Sequence, residues 1–162
     1  MGTGPDSGVA LTTMLDVLEQ DGQPREAKWP YSLAPIADPS KWVPPADVGQ
    51  LFQAAGTRVA SKDVAAARAA TDGGEPVVMV LMLSDAFYLA PDADGVIDST
   101  EPPDVTRVHA VVAVAHGTRG GDTVTLVRNS WGVYWGVNGH AWLTDGYLKP
   151  RLFEWAKLKK VT

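Results

Sequence analysis

The chain has 162 residues, of which 45% are apolar and 20% are charged, a composition and length that suit one well-buried domain. Its 19 acidic and 14 basic residues give a net charge of −5, so the sequence lacks the positive field that attracts nucleic acid, and no nucleic-acid partner is expected. Cysteine is absent, which excludes disulfides, thiolate metal sites and a cysteine nucleophile from these 162 residues.

The sequence carries no targeting signal that can be read from its composition. Its first residues lack the basic start and the apolar core of a secretory signal. The longest apolar run, Val77 to Leu83, is much shorter than a membrane span. We therefore expect a cytoplasmic protein that has no membrane partner.

An apolar stripe predicts a helix near the start of the chain. Its members recur at helical spacing and share one face: Leu11, Met14, Leu15 and Leu18. Asp6 or Ser7 is expected to cap the start of this helix, and Gly22 to end it. Residues 23–45 are dense in proline and tryptophan, which predicts an ordered loop without regular structure.

Two more helices are predicted before residue 75. The first is short, is closed by Gly56, and rests on helical spacing of Val48, Leu51, Phe52 and Ala55. The second is rich in alanine, begins at the capping residue Ser61 and ends at Gly73-Gly74.

The second half of the chain has the character of a sheet. The continuous apolar run that follows Pro76 predicts a strand buried on both faces. A helical turn is expected around residues 86–88 and a hairpin turn at residues 117–121. Further strands are predicted at 108–115, 123–128 and 140–143. Helices followed by strands favour an α+β fold, with residues 1–75 mainly helical or loop and 76–162 mainly β.

The histidines do not form a metal-binding pattern. The three in the sequence are His109, His116 and His140, and no His-Glu-x-x-His motif joins any of them. No Gly-x-Gly-x-x-Gly motif follows a strand, so a nucleotide site is not expected either. We expect neither a metal nor a cofactor.

One histidine lies at a spacing that suits acid–base chemistry. His109 lies on one predicted strand and Asn129 at the end of the next, so antiparallel pairing could place them side by side. An amide oxygen that accepts a hydrogen bond from one imidazole nitrogen fixes the tautomer and leaves the other nitrogen free to take a proton. A neighbouring tryptophan could shield that bond from water. The alternative is that His109 is an ordinary core residue.

These residues resemble the papain family of cysteine peptidases. The matching segments are His109-Ala110-Val111, the run from Leu126 to Gly132, and Trp135-Gly136 with Asn138-Gly139. The resemblance implies an α+β, papain-like fold in which an N-terminal helical part packs against an antiparallel, β-barrel-like sheet lobe, all within one domain of residues 1–162.

The resemblance also implies roles for individual residues. His109 would be the general base, Asn129 would orient it, and Trp131 would shield the pair. Gly8, Val80 and Ala110 would contact substrate, with the last two lining a pocket for an apolar side chain.

The departure from the family is as informative as the match. In papain-like enzymes the nucleophilic cysteine precedes the histidine by about 130–150 residues, which would place it before Met1 of this sequence. The family's nucleophile helix and its oxyanion-hole glutamine are therefore missing, and we expect no hydrolysis by this chain alone.

Several functions stay open at this point. The chain could supply the histidine–asparagine half of a peptidase site, with the thiol on a missing N-terminal segment or on a second chain. It could instead be a non-catalytic pseudo-peptidase that binds a peptide or protein, or a structural subunit of a larger assembly. Association into a homo-oligomer is also open. A serine nucleophile, Ser84, Ser130 or another serine, is a fourth reading that no flanking sequence favours.

Overall fold

A computed structural model describes residues 8–30, 38, 43–90 and 94–160, the side chain of Lys160 excepted. The chain divides into two compact units, residues 1–56 with 159–162, and residues 57–158. That all 162 residues form a single domain stays a prediction. In the described ranges, no helix is both long enough and apolar enough to cross a membrane.

Helix α1, Leu11–Gln20, confirms the first predicted helix; of its apolar stripe Leu11 and Leu15 are buried, and Met14 and Leu18 are half-buried. Ala10 occupies the N-cap position, and among the described residues no side chain caps the helix. Asp6 and Ser7 lie outside the described residues. Gly22 follows the helix with φ 75°, a backbone conformation that glycine adopts without strain.

The helix predicted over residues 48–55 is wrong, because this segment is extended. The backbone N–H and C=O of Phe52 both bond to Gln23, at 2.9 Å each, and strand β1 follows at Ala54–Val59. Gly49 has φ 66°, which no α-helix contains. The helical spacing of the apolar residues here was therefore overridden by pairing with a distant part of the chain.

Helix α2, Val64–Thr71, confirms the alanine-rich helix but not its cap. Asp63 caps it, since its Oδ1 accepts hydrogen bonds from the backbone N–H groups of Ala65 and Ala66. Ser61 instead accepts the N–H of Asp63 and so supports the capping residue.

The described residues form a seven-stranded sheet in the order β1-β7-β2-β4-β5-β6-β3. The strands after β1 are β2 Val77–Met82, β3 Val96–Ile97, β4 Val108–Arg119, β5 Asp122–Arg128, β6 His140–Thr144 and β7 Leu152–Lys160. Two short helices, α3 Asp85–Tyr88 and α4 Asp145–Leu148, lie between strands. The four predicted strands are present as β2, β4, β5 and β6, and the predicted turn at 86–88 is α3. The hairpin turn predicted at residues 117–121 is too long, because β4 continues to Arg119 by pairing with β5 and only Gly120 and Gly121 lie between the strands. The β3–β6 pair is parallel, whereas the pairs among β7, β2, β4, β5 and β6 are antiparallel.

Strand β2 is central to the core, as its continuous apolar sequence predicts. All six of its residues are buried, and those of one face are fully inaccessible: Val77, Met79 and Leu81. Its register with β4 pairs Leu81 with His109 and Val80 with Ala110. The best-packed strand of the sheet thus fixes the backbone position of His109.

Positive φ angles shape the loop between β5 and β6. They occur at Gly132, Gly136, Asn138 and Gly139. The N–H of Asn129 bonds to the carbonyl of Gly139 at 2.9 Å, which closes the loop on itself. The glycines of the sequence motif therefore provide a turn geometry that most side chains would strain.

Replacing Gly136 by alanine should destabilise the protein more than the same change at Gly120. Both have a positive φ, but a Cβ at Gly136 would lie 2.3 Å from the carbonyl oxygen of His140, whereas one at Gly120 would have no heavy atom within 4 Å. Gly120→Ala should cost about 1–2 kcal/mol of unfolding free energy through backbone strain alone. Urea denaturation should show a clearly larger loss for Gly136→Ala, and equal losses would contradict this packing.

An ion pair joins α2 to the start of α4. Arg68 bonds both carboxylate oxygens of Asp145, and Lys149 adds a contact at 3.0 Å. Burial raises the pKa of Asp145, but the hydrogen bonds from Arg68 and Lys149 outweigh it, and the net pKa lies below the ordinary value.

This ion pair should contribute stability that acid removes. Because the folded-state pKa of Asp145 is lowered, the contribution is complete above the ordinary aspartate pKa of about 3.9 and is lost as the pH falls through the lower folded value. Asp145→Asn should lower the unfolding free energy at pH 7 and make its decline below pH 4 shallower. Asp122→Asn, at the exposed hairpin turn, is the control, and an unchanged acid limb in Asp145→Asn would contradict the assignment.

Candidate active site

The β4–β5 hairpin brings His109 and Asn129 together. His109 is the second residue of β4, and Asn129 follows directly after β5. Nε2 of the imidazole lies 2.7 Å from Oδ1 of the asparagine amide. Two residues that are twenty positions apart in sequence therefore form one hydrogen-bonded pair.

A backbone contact fixes which end of the Asn129 amide faces the histidine. The N–H of Ser130 donates to Oδ1 of Asn129 at 2.8 Å, so that atom must be the oxygen. An amide oxygen only accepts, hence Nε2 of His109 carries the hydrogen of their bond. None of the described residues hydrogen-bonds to Nδ1, which in the neutral ring holds the free lone pair. The arrangement presents a proton acceptor with a defined direction.

Trp131 covers the pair. Its ring centroid lies 4.7 Å from that of His109, with the planes 38° apart. Asn129 is only 6% exposed, whereas Trp131 is 39% exposed. The indole thus separates the hydrogen bond from solvent, where water would compete for the same donor and acceptor.

Phe87 is a second aromatic neighbour, and the sequence analysis missed it. This side chain on α3 is fully buried, and its ring makes edge contacts with Trp131 at 5.5 Å and with His109 at 6.0 Å. Its carbonyl accepts the indole N–H of Trp135 at 2.8 Å. The only sequence signal was the predicted turn at residues 86–88, which gave no indication of its partner.

The predicted substrate-contact residues fall in two places. Val80 and Ala110 are cross-strand partners on β2 and β4, so their side chains lie next to each other on one face of the sheet. Gly8 is exposed, belongs to the other compact unit, and has no atom close to where a Cβ would lie. The substrate contacts of all three stay predictions.

A buried carboxylate extends the row formed by Val80 and Ala110. On its other side Val80 pairs with Glu154 of β7, which is 8% exposed and forms an ion pair with the Nε of Arg58. Across the sheet, the apolar pair Val80–Ala110 is therefore followed by the ion pair Glu154–Arg58. The sequence analysis missed it because both partners are remote in the chain and lie on strands that were not predicted.

The other two histidines have separate partners. Nε2 of His116 lies 2.6 Å from a carboxylate oxygen of Asp72, and Nδ1 of His140 lies 2.8 Å from the carbonyl of Asn138. Within the described ranges no three His, Asp or Glu side chains are grouped to hold a metal ion.

Comparisons with known proteins agree with this geometry. The family model described as papain family cysteine protease matches residues 2–150. A cathepsin L-like proteinase of Fasciola hepatica is 29% identical over 136 residues, which are 83% of this chain and 39% of that protein. A cysteine protease of Blomia tropicalis is 29% identical over 78% of this chain and 37% of its own length. The chain thus spans about two fifths of these curated relatives.

Solved structures share the fold. Xylellain, a cysteine protease from Xylella fastidiosa, superposes with a TM-score of 0.70 at 23% identity, over 97% of this chain and 63% of that one. A Carica candamarcensis cysteine protease gives 0.66 at 21% identity, over 99% and 72%. The papain-like α+β fold expected from the sequence is confirmed.

Removing the amide of Asn129 should release the His109 ring. In Asn129→Ala the imidazole loses its acceptor, so its ring proton and carbon NMR shifts should move strongly and its tautomers should mix. Loss of the hydrogen bond should also lower the unfolding free energy by about 0.5–1.5 kcal/mol. Asn138→Gly is the matched control, because glycine suits the φ of 52° at that loop position. Ring shifts that hardly move in Asn129→Ala would show that the pair does not form.

Proposed function

The chain belongs to the papain family of cysteine proteases, and on that premise we propose that it supplies the histidine–asparagine half of a thiol peptidase site. The cysteine would come from a polypeptide segment outside these 162 residues, either on a longer chain or on a partner. The observation that carries the proposal is the 2.7 Å bond between His109 and Asn129, with Nδ1 of the imidazole free to accept a proton.

The chemistry follows from the tautomer. Nδ1 of His109 takes the thiol proton, which leaves a thiolate beside an imidazolium whose Nε2–H still donates to Asn129. The thiolate sulfur bonds to the scissile carbonyl carbon, the C–N bond breaks, and Nδ1 returns its proton to the leaving amine. Water then hydrolyses the thioester, again with the imidazole as base.

The nucleophile and the donor that stabilises the oxyanion are both expected on a segment outside these 162 residues. The sequence contains no cysteine, so the nucleophile has to enter on another segment, and a donor for the oxyanion is expected on the same segment. The lengths of the relatives support a site built from two segments. The chain spans only 39% of the Fasciola hepatica proteinase and 37% of the Blomia tropicalis protease. Strand β4 also leaves Val108 and Val114 about half exposed, which is apolar surface that a docking segment would cover.

Peptide is the expected substrate. The adjacent side chains of Val80 and Ala110 offer an apolar surface for one substrate side chain, as the sequence analysis expects. Glu154 and Arg58 lie at the end of that row, so a long side chain that crossed the apolar pair would meet an ion pair.

The alternative function is that of a pseudo-peptidase that binds peptide or protein without cleaving it. The absence of cysteine from the chain favours this alternative. In that case the His109–Asn129 pair would be a remnant with no proton to accept.

Reconstitution of the thiol site distinguishes the two functions. The chain would be mixed with a cysteine-bearing segment of the Xylella fastidiosa relative, chosen from the part upstream of the matched region. A peptide-based electrophile that labels activated thiols is the probe, and size-exclusion chromatography records whether the two polypeptides associate. We expect labelling of the segment's cysteine to be fast only in the complex.

Two histidine variants form the matched pair for this experiment. His109→Ala should slow labelling in the complex by about 100-fold or more, because it removes the base. His116→Ala changes a histidine of the same strand that is bonded to Asp72, and should leave the rate unchanged. Labelling that is equally fast without the chain, or a complex whose cysteine stays unreactive, would contradict the proposal, and the second result would favour the pseudo-peptidase.

A further inference from the structure

The shield over the candidate active site has outer layers that the sequence motif does not contain. Tyr88 stacks on Trp131 at 5.1 Å, with the ring planes 24° apart. Trp131 contacts both Tyr88 and His109, and no contact between the rings of Tyr88 and His109 is found among the described residues. The guanidinium carbon of Arg107 lies 5.6 Å from the Tyr88 ring centroid. Through these contacts imidazole, indole, phenol and guanidinium form one row of neighbouring groups, called the stack below.

Two carboxylates hydrogen-bond Arg107, the outermost member of this stack. Nη1 of Arg107 bonds to Asp85 at 2.6 Å and its Nε bonds to Asp104 at 2.8 Å. Asp104 also accepts the hydroxyl and the N–H of Thr106, at 2.6 and 2.8 Å. These hydrogen bonds from Thr106, followed by those from Arg107, lower the pKa of Asp104 to about 2. The carboxylate consequently keeps its charge, and its hold on Arg107, down to strongly acidic pH.

Arg107 and the side chains that bond it, Asp85 and Asp104, are called the clamp. Backbone hydrogen bonds join the clamp to the strands that carry the site. The N–H of Leu83, one residue beyond β2, donates to the carbonyl of Arg107 at 2.8 Å, and the N–H of Asp104 donates to the carbonyl of Leu83 at 2.8 Å. Arg107 is the residue before β4 and lies two positions before His109. Arg107 and His109 thus lie on one hydrogen-bonded backbone segment, and Tyr88 on α3 contacts the Arg107 guanidinium.

We propose that Tyr88, held by Arg107, is a positioning residue for the His109–Asn129 pair and acts through Trp131. The indole is 39% exposed, so packing from one side alone would allow it to tilt away from the hydrogen bond and admit water. Phe87 contacts the indole at nearly right angles, and Tyr88 stacks on its plane. Removing the stack frees the indole to move and opens a path from solvent to Nε2–H of His109.

The proposal rests on the proposed function only in naming His109 as a base, because the stack exists without a thiol. The readout is therefore recorded on the chain alone: the solvent-exchange rate of the His109 Nε2 proton, measured by NMR. If exchange responds as expected but no thiol is activated on reconstitution, the proposed function fails and this inference stands. If the thiol is activated but exchange is unaffected, the reverse holds.

Tyr88→Leu is the decisive variant, because it keeps apolar volume and removes the ring stack. We expect exchange of the His109 Nε2 proton to accelerate about two- to tenfold, the factor that corresponds to the free energy of one aromatic pair. Tyr134→Leu is the control: Tyr134 is also a tyrosine, lies in the same loop as Trp131 and is 94% exposed, so exchange should not change. Tyr88→Phe should restore the wild-type rate, since the stack does not need the hydroxyl.

The clamp provides a second variant in case Tyr88→Leu fails to fold. Arg107→Met should accelerate exchange less than Tyr88→Leu does, because it loosens the stack without removing it. Wild-type exchange in folded Tyr88→Leu, wild-type exchange in Arg107→Met, or equal acceleration in Tyr134→Leu would each overturn the assignment.

Discussion

The geometry of the candidate active site depends on one hydrogen bond, that between Nε2 of His109 and Oδ1 of Asn129. An amide oxygen cannot donate, so the bond places the ring hydrogen on Nε2 and leaves Nδ1 as the only proton acceptor of the neutral imidazole. The orientation of the Asn129 amide is fixed by a second hydrogen bond, because the same oxygen also accepts the N–H of Ser130. A histidine so oriented has a defined side on which a nucleophile must approach.

Several features of the second compact unit position the two partners of that bond. The buried strand β2 sets the backbone of His109 by register, and the loop of positive-φ residues closes on Asn129 through the carbonyl of Gly139. Trp131 covers the bond, and Phe87, fully buried, supports the indole from α3. These contacts hold the histidine–asparagine pair in place within a sequence that itself contains no cysteine.

The sequence predicted those parts whose signal is local. The unbroken apolar run of β2, the glycine-rich hairpin between β4 and β5, and the His109–Asn129 spacing could all be read without tertiary information. The helix expected over residues 48–55 was wrong because Phe52 pairs with Gln23, a contact that no periodicity encodes. Phe87, Tyr88 and the Arg58–Glu154 pair were missed for the same reason, since each acquires its partner only through folding.

We expect this chain by itself to hold His109 in the single tautomer that leaves Nδ1 free to accept a proton. The decisive measurement is the nitrogen chemical shifts of the His109 ring in an isotope-labelled sample, recorded in mildly alkaline solution where the ring is neutral. The expected result is a protonated Nε2 and a bare Nδ1, with no averaging between tautomers. A protonated Nδ1, or shifts that show rapid exchange between the two tautomers, would contradict it.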